Sequence, residues 1–181
     1  MTTSALDVRY RPALIALHWL TLLLLIGVYA CIEGREFFPR GSALREGLKT
    51  WHFMLGLTVF GVVWLRLLLR LFSVTPPIEP PLLSRAVHIA LYAVMIGMPL
   101  GGWLILSAAG KPIPFFGLEL PALVMPDKDL AKTVKNLHET VGIAALYLIG
   151  LHALAGLFHH YFLRDNTLLR MLPEWGRVEP K

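Results

Sequence analysis

The chain has very few cysteines and few charged residues. Cys31 is the only cysteine among 181 residues. A disulfide needs two thiols and a cysteine-rich zinc or iron–sulfur site needs several, so the composition excludes both within this chain. Charged residues make up only 16% of the sequence, whereas 56% is hydrophobic. This balance excludes a soluble globular domain and a disordered chain, since both carry far more charge for their size.

Long stretches of the sequence contain no Asp, Glu, Lys or Arg. They cover residues 13–32, 50–65, 86–110 and 140–163. Each approaches or exceeds the roughly 20 apolar residues with which a helix crosses about 30 Å of hydrocarbon. We therefore predict an all-α membrane protein, in which residues 1–181 form a single integral membrane domain with a four-transmembrane-helix bundle. The expected helices are approximately 13–32, 51–72, 86–107 and 138–162.

The connecting segments carry most of the prolines. Segment 108–137 contains four of them, so it cannot be one continuous helix. They are Pro112, Pro114, Pro121 and Pro126. Residues 127–136 have the pattern of a short amphipathic helix that leads into helix four, and a proline-rich turn at 75–81 joins helices two and three. The first apolar run is interpreted as helix one rather than as a cleaved signal peptide, because it is long enough to span and three more spans follow.

Four spans place both termini on one side of the membrane, which we name the terminal side. Segments 33–49 and 108–137 lie on the other, the loop side. The Lys and Arg residues are divided almost equally between the two sides, with nine on the terminal side and eight on the loop side. This distribution, together with Arg9 and Arg11 before helix one, favours cytoplasmic termini only slightly.

The loop side has more cations than membrane insertion requires. Such a surplus would attract an anionic substrate over a long range. The residues proposed for this attraction are Arg40, Arg45, Lys49, Lys132 and Lys135. Acidic residues on the same side, among them Glu36 and Glu46, would neutralise much of the charge, and the sequence leaves the two interpretations open.

Each of the seven histidines falls inside a predicted span or within a few residues of its end. They are His18, His52, His88, His138, His152, His159 and His160. Ionisable side chains are costly at membrane depth, and for this reason they are candidates for function.

The spacing of the histidines predicts two facing pairs. His138 and His152 are fourteen residues apart, close to four helical turns, so they share one face of helix four at depths about 21 Å apart. Helix two runs in the same direction and carries His52 at the level of His138. Helix one runs the other way and brings His18 to the level of His152. Paired histidines on different helices suit bis-histidine haem sites, so the bundle is expected to hold two b-type haems with these four residues as iron ligands.

Glycines support the haem interpretation. Gly56, Gly142 and Gly156 each follow one of these histidines by four residues, which leaves room for a flat macrocycle one turn away. A histidine-lined metal-ion transporter would use the same histidines and remains an alternative. It is less favoured, because no carboxylate lies in the middle of a span to share the ion.

Several motifs distributed along nearly the whole chain carry a family resemblance. They are His18-Trp19 and residues 37–40 (FFPR), 66–70 (RLLLR), 75–77 (TPP), 159–162 (HHYF) and 165–173 (DNTLLRMLP). Together they resemble bacterial cytochrome b561, and within it the superoxide:ubiquinone oxidoreductases. The resemblance implies two b haems in four helices and gives the same histidine pairs as the spacing. One departure is Glu79, in a turn where lysines are expected.

The resemblance also implies a function and a location. The protein would oxidise superoxide to oxygen at the periplasmic face and pass electrons through two haems to ubiquinone near the cytoplasmic face. It would be a multi-pass protein of the bacterial inner (cytoplasmic) membrane, with lipid, superoxide and ubiquinone as partners, no nucleic acid and no obligatory protein partner.

His159 lies on the face of His152, about 10 Å nearer the terminal side, and is the candidate proton donor or quinone partner. His88 is interpreted as a second quinone-site residue or, preferably, a packing group.

Two further functions remain open. A cytochrome b subunit that is fed by a hydrogenase or a dehydrogenase would share the four helices and the paired histidines. A general cytochrome b561 electron carrier would use another small donor.

Overall fold

The computed structural model describes residues 10–73 and 81–173, which are dominated by four long helices. These are α1 (Pro12–Gly34), α2 (Ala43–Leu71), α3 (Leu82–Ala108) and α4 (Lys128–Phe158). All four are long and apolar enough to cross a membrane. The predicted four-helix membrane architecture is therefore confirmed. The predicted turn at 75–81, including Glu79, lies outside the described residues except for Pro81.

Polar caps set where α2 and α4 begin, and both begin earlier than the uncharged runs predicted. Ser42 Oγ accepts a hydrogen bond from the Arg45 amide at the start of α2. The carboxylate of Asp127 accepts hydrogen bonds from two amides at the start of α4. These caps satisfy amides that have no partner within the helix. The expected separate helix over 127–136 is thus the first part of α4.

A short β-hairpin occupies the proline-containing segment between α3 and α4. Strand β1 (Ile113–Phe115) pairs antiparallel with β2 (Leu118–Leu120). The two turn residues, Phe116 and Gly117, both have positive φ, at 47° and 87°, as a tight hairpin with twisted strands requires. Buried Ile113 packs with Leu57 of α2 and Leu106 of α3. The hairpin therefore covers the loop-side end of α2 and α3.

The helices pack in sequence order, with α1 on α2, α2 on α3 and α3 on α4. Val59 and Val63 of α2 form a buried cluster with Met95 of α3. Across the described residues α4 does not pack closely against either α1 or α2. The Tyr29 hydroxyl of α1 donates to the Gly142 carbonyl of α4 at 2.7 Å and bridges that wider interval. The side chains of His138 and His152 on α4 reach across this interval towards α2 and α1.

Candidate functional site

The first facing pair consists of His52 from α2 and His138 from α4, which we name the loop-side pair. Their ring centroids are 6.4 Å apart, and the ring planes cross at 76°. His52 Nδ1 lies 3.0 Å from the Val28 carbonyl of α1. Because a carbonyl can only accept, Nδ1 carries the proton, and Nε2 keeps its lone pair. Histidines that bind metals are commonly oriented by this kind of hydrogen bond.

His138 is held by close contact with α3. Its Nδ1 is buried and has no hydrogen-bond partner among residues 10–73 and 81–173. A Cβ placed on Gly101 would lie 3.3 Å from this nitrogen, and one on Gly102 would lie 3.7 Å from Cε1 of the same ring. The two glycines therefore leave the room that the imidazole occupies.

The second facing pair consists of His18 from α1 and His152 from α4, which we name the terminal-side pair. Their ring centroids are 6.2 Å apart, at an interplanar angle of 70°. His88 of α3 joins them, with its ring 5.5 Å from that of His152. His88 Nδ1 lies 2.6 Å from the Ser84 carbonyl, to which it must donate. The sequence interpretation made His88 a second quinone-site residue or, preferably, a packing group, and the structure places its imidazole beside this pair.

Both pairs have the separation that a haem iron requires. An iron atom bound by two imidazole nitrogens at about 2 Å each would place the ring centroids a little over 6 Å apart. The spacings of 6.4 and 6.2 Å fit this value. A Cβ on Gly56 or on Gly156 would meet nothing within 4 Å, so both glycines border open space. Gly142 differs, since its position packs against Met98 at 3.4 Å.

The five predicted loop-side cations fall into two groups. Three of them form ion pairs: Arg45 with Glu36 at 2.8 Å, Lys49 with Glu46 at 3.3 Å and Lys135 with Glu139 at 2.6 Å. Arg45 also donates to the carbonyls of Arg35 and Phe38, so it fixes the loop after α1. Arg40 and Lys132 are exposed and have no ion pair within the described part of the chain.

A cavity of about 140 Å³ opens on the loop side between α2 and the hairpin. Its lining residues are Glu46, Lys49, Thr50, Phe53, Leu106, Lys111, Pro112 and Pro114. The Phe53 ring contacts the ring of His52, with centroids 5.8 Å apart. The cavity therefore brings two lysines close to the loop-side pair. Lys111 is one of the eight loop-side cations, although not one of the five residues proposed above for attracting an anion.

His159 lies where α4 gives way to a π-helical turn over His159–Leu163. Its Nδ1 is 2.5 Å from a carboxylate oxygen of Asp165, whose other oxygen accepts from the Thr167 amide at 2.8 Å. Burial of the carboxyl group opposes ionisation, but the hydrogen bonds from His159 and Thr167 outweigh it and lower the pKa of Asp165 to about 2. Sequence reasoning missed Asp165 as a functional candidate, although it belongs to the motif at 165–173.

The C-terminal segment is tied to α1 near the terminal-side pair. Trp19 directly follows His18 in the sequence, and its indole donates a hydrogen bond to the Met171 carbonyl at 2.7 Å. The rings of Trp19 and His18 are in edge contact, at 5.7 Å. His160 instead contacts the ring of its neighbour Tyr161 at 4.9 Å. Of the two adjacent histidines, only His159 has a carboxylate partner in the described structure.

A membrane bundle with two facing imidazole pairs at different depths is typical of haem-carrying electron-transfer proteins. The sequence matches the family model of prokaryotic cytochrome b561 over residues 9–174. The chain belongs to this family, whose members are membrane electron-transfer proteins that bind b-type haem.

Curated relatives agree with the family model. The chain is 38% identical over 172 residues to a Yersinia pestis protein named probable superoxide oxidase CybB, covering 92% of this chain and 97% of the relative. It is 36% identical over 171 residues to cytochrome b561 homolog 1 of Escherichia coli (strain K12), with 91% and 97% covered. Cytochrome b561 homolog 2 of the same organism is 29% identical over 171 residues, covering 91% of each chain. The family predicted from the sequence motifs is thereby confirmed.

Proposed function

We propose that this protein oxidises superoxide on the loop side and delivers the electrons, through two b haems, to ubiquinone on the terminal side. Two superoxide anions would each give up one electron and leave as oxygen, and one ubiquinone would take both electrons with two protons. The observation that carries the proposal is the presence of two facing histidine pairs, separated by fourteen residues on α4. The probable superoxide oxidase of Yersinia pestis supports the choice of donor.

The four paired histidines would hold the haems, with His52 and His138 binding one iron and His18 and His152 the other. A haem with two imidazole ligands has no open coordination position, so when bound it supplies one-electron transfer. The Val28 carbonyl would keep His52 in the tautomer that presents Nε2. Family membership favours this electron-transfer role over the metal-ion transport considered from the sequence.

The loop side would face the periplasm, with both termini in the cytoplasm. In this orientation the cavity beside Phe53 would receive superoxide from the outer solution. Lys111 would attract the anion, and Lys49, although paired with Glu46, would keep the net charge of the cavity positive. Exposed Arg40 and Lys132 would add to this attraction, whereas the charge of Arg45 is largely balanced by Glu36. His159 and Asp165 would serve the quinone on the other side.

The direct test is to generate superoxide by pulse radiolysis in a solution of the purified, oxidised protein and to follow the haem absorption bands. We expect haem reduction without any added protein, followed by reoxidation when ubiquinone is supplied. Haem bands that stay oxidised in superoxide would contradict the proposal and favour the cytochrome b subunit that is fed by a partner dehydrogenase.

The lysines of the cavity give a prediction about rate. Replacing both Lys49 and Lys111 with glutamine should lower the second-order rate constant of reduction by superoxide several-fold at low salt, because it removes two positive charges from the path of an anion. The wild-type rate should also fall as ionic strength rises, since screening shortens the electrostatic reach to about 10 Å at 0.1 M salt. Arg164→Gln is the control, because it removes a positive charge from the terminal side and should leave the rate unchanged. Equal rates in wild type and the double variant would refute the role of the cavity.

Close packing of α3 against His138 gives a second prediction. A Gly101→Val substitution should push the imidazole out of position, because even a Cβ would lie 3.3 Å from Nδ1. We expect haem affinity at the loop-side pair to fall about tenfold or more. Gly97→Val is the matched control, one turn away on the same helix, where a Cβ meets nothing within 4 Å. Haem content measured by pyridine haemochrome should be lower only in the first variant.

A further inference from the structure

Arg66 occupies an unusual place for a cation in a membrane helix. It follows His52 by fourteen residues on α2, so it shares the face of His52 and lies about 21 Å closer to the terminal side. On α4, His152 likewise follows His138 by fourteen residues, and His138 faces His52, so Arg66 and His152 lie at the same level. At this level each of the four helices contributes one polar side chain: His18, Arg66, His88 and His152. Arg66 is therefore part of the surroundings of the terminal-side pair.

Arg66 has no carboxylate partner among residues 10–73 and 81–173, although its side chain is largely covered. The guanidinium carbon lies 5.7 Å from the centre of the Tyr92 ring on α3. A contact with the face of an aromatic ring stabilises a buried cation less than a neighbouring anion does. The arrangement leaves a positive charge within the bundle that an anion would neutralise.

Tyr92 presents a second unsatisfied group at the same place. Its hydroxyl is buried and has no hydrogen-bond partner in the described structure. Tyr92 follows His88 by four residues, so both lie on one face of α3, and His88 contacts the ring of His152. Buried hydroxyls without a partner are uncommon because each loses its hydrogen bond to water. A guanidinium and a hydroxyl donor thus stand together beside the terminal-side pair.

We propose that Arg66 and Tyr92 bind a propionate carboxylate of the haem at the terminal-side pair. The proposal rests on the function proposed above, which assigns a haem to His18 and His152. A carboxylate matches both groups, since it takes a charge-assisted hydrogen bond from the guanidinium and accepts one from the hydroxyl. The carbonyl oxygens of a neutral quinone would leave the charge of Arg66 uncompensated. Arg70 lies one turn further along α2 and is exposed.

The test uses the full-length protein loaded with haem that carries ¹³C in its propionate carboxyl groups, from cells fed labelled 5-aminolevulinate. Infrared spectra that compare the oxidised and reduced protein report the labelled carboxylates. We expect their bands to shift in Arg66→Gln and in Tyr92→Phe, and to stay unchanged in the matched control Arg70→Gln. Labelled bands that match wild type in both Arg66→Gln and Tyr92→Phe would overturn the proposal. Tyr92→Phe removes only one oxygen atom, so it remains informative if Arg66→Gln does not fold.

A redox titration gives the second readout. Loss of the positive charge of Arg66 should shift the redox equilibrium of the terminal-side haem about tenfold towards the oxidised form. For a one-electron couple this corresponds to a reduction potential lower by about 59 mV. Tyr92→Phe changes no charge and should shift the reduction potential less. A His18→Ala variant separates the two proposals. If it keeps both haems, the assigned ligands are wrong. If it loses one haem while the carboxylate bands of both Arg66→Gln and Tyr92→Phe match wild type, only the propionate contact is wrong.

Discussion

We expect that replacing His52 with alanine will remove the proposed loop-side haem and leave the other, so that the haem content falls from the proposed two per chain to one. The rings of His52 and His138 face each other with centroids 6.4 Å apart, as two ligands of one iron would. Without His52, the iron would keep only the imidazole of His138 as a protein ligand. Reduction by superoxide should become too slow to follow in this variant, because the first acceptor is absent. Haem content and pulse radiolysis on the same sample measure both effects.

Replacing His18 with alanine should give the complementary result. The terminal-side haem is lost, superoxide still reduces the remaining haem, and ubiquinone no longer reoxidises it. His160→Ala is the control for both variants, since His160 contacts only the neighbouring Tyr161 ring among the contacts described. Two intact haems in either alanine variant would show that other residues bind the iron.

The pattern of uncharged residues predicted the four helices, because crossing hydrocarbon imposes a length and a composition that local sequence shows directly. It could not predict where α2 and α4 begin. Those ends lie outside the apolar runs and depend on the polar caps Ser42 and Asp127. Caps act through individual hydrogen bonds and are not visible as hydropathy.

Helical periodicity explains why the facing histidines were predictable. A spacing of fourteen residues fixes direction and depth on one helix, and opposite chain directions bring His18 to the level of His152. The position of His88 was harder to predict, since it depends on how α3 is rotated against α4. The partner of His52 is a backbone carbonyl, Val28, which no side-chain pattern reveals.

The contact between His159 and Asp165 was not predictable for a different reason. An ordinary α-helix would carry Asp165 onward, away from His159. Instead, a π-helical turn ends at Arg164 with a left-handed φ of 54°, and the chain turns back. π-helical turns are frequent at functional sites. This reversal brings the carboxylate to the imidazole.

Replacing His159 with glutamine should slow the reoxidation of the haems by ubiquinone about a hundredfold, while superoxide still reduces them at the wild-type rate. Quinone reduction needs protons, and a positioned imidazole that transfers a proton contributes about 10²-fold or more. Stopped-flow mixing of the reduced protein with a soluble ubiquinone measures the step in isolation. His160→Gln is the matched control, one residue further along the chain. Wild-type reoxidation in His159→Gln would remove His159 from the quinone site.

Asp165→Asn tests whether the carboxylate acts through His159. Because the pKa of Asp165 is lowered to about 2, below the ordinary value of about 4, its charge stabilises this segment above about pH 4 and is lost only as the pH falls towards 2. Asp165 therefore stays ionised from pH 5 to 8, and any pH dependence of quinone reduction there must come from other groups. Asparagine keeps the shape but removes the negative charge of the group that accepts the hydrogen bond from His159 Nδ1. We expect slower reoxidation with an altered pH profile; a slower rate with an unchanged profile would make Asp165 a purely structural contact.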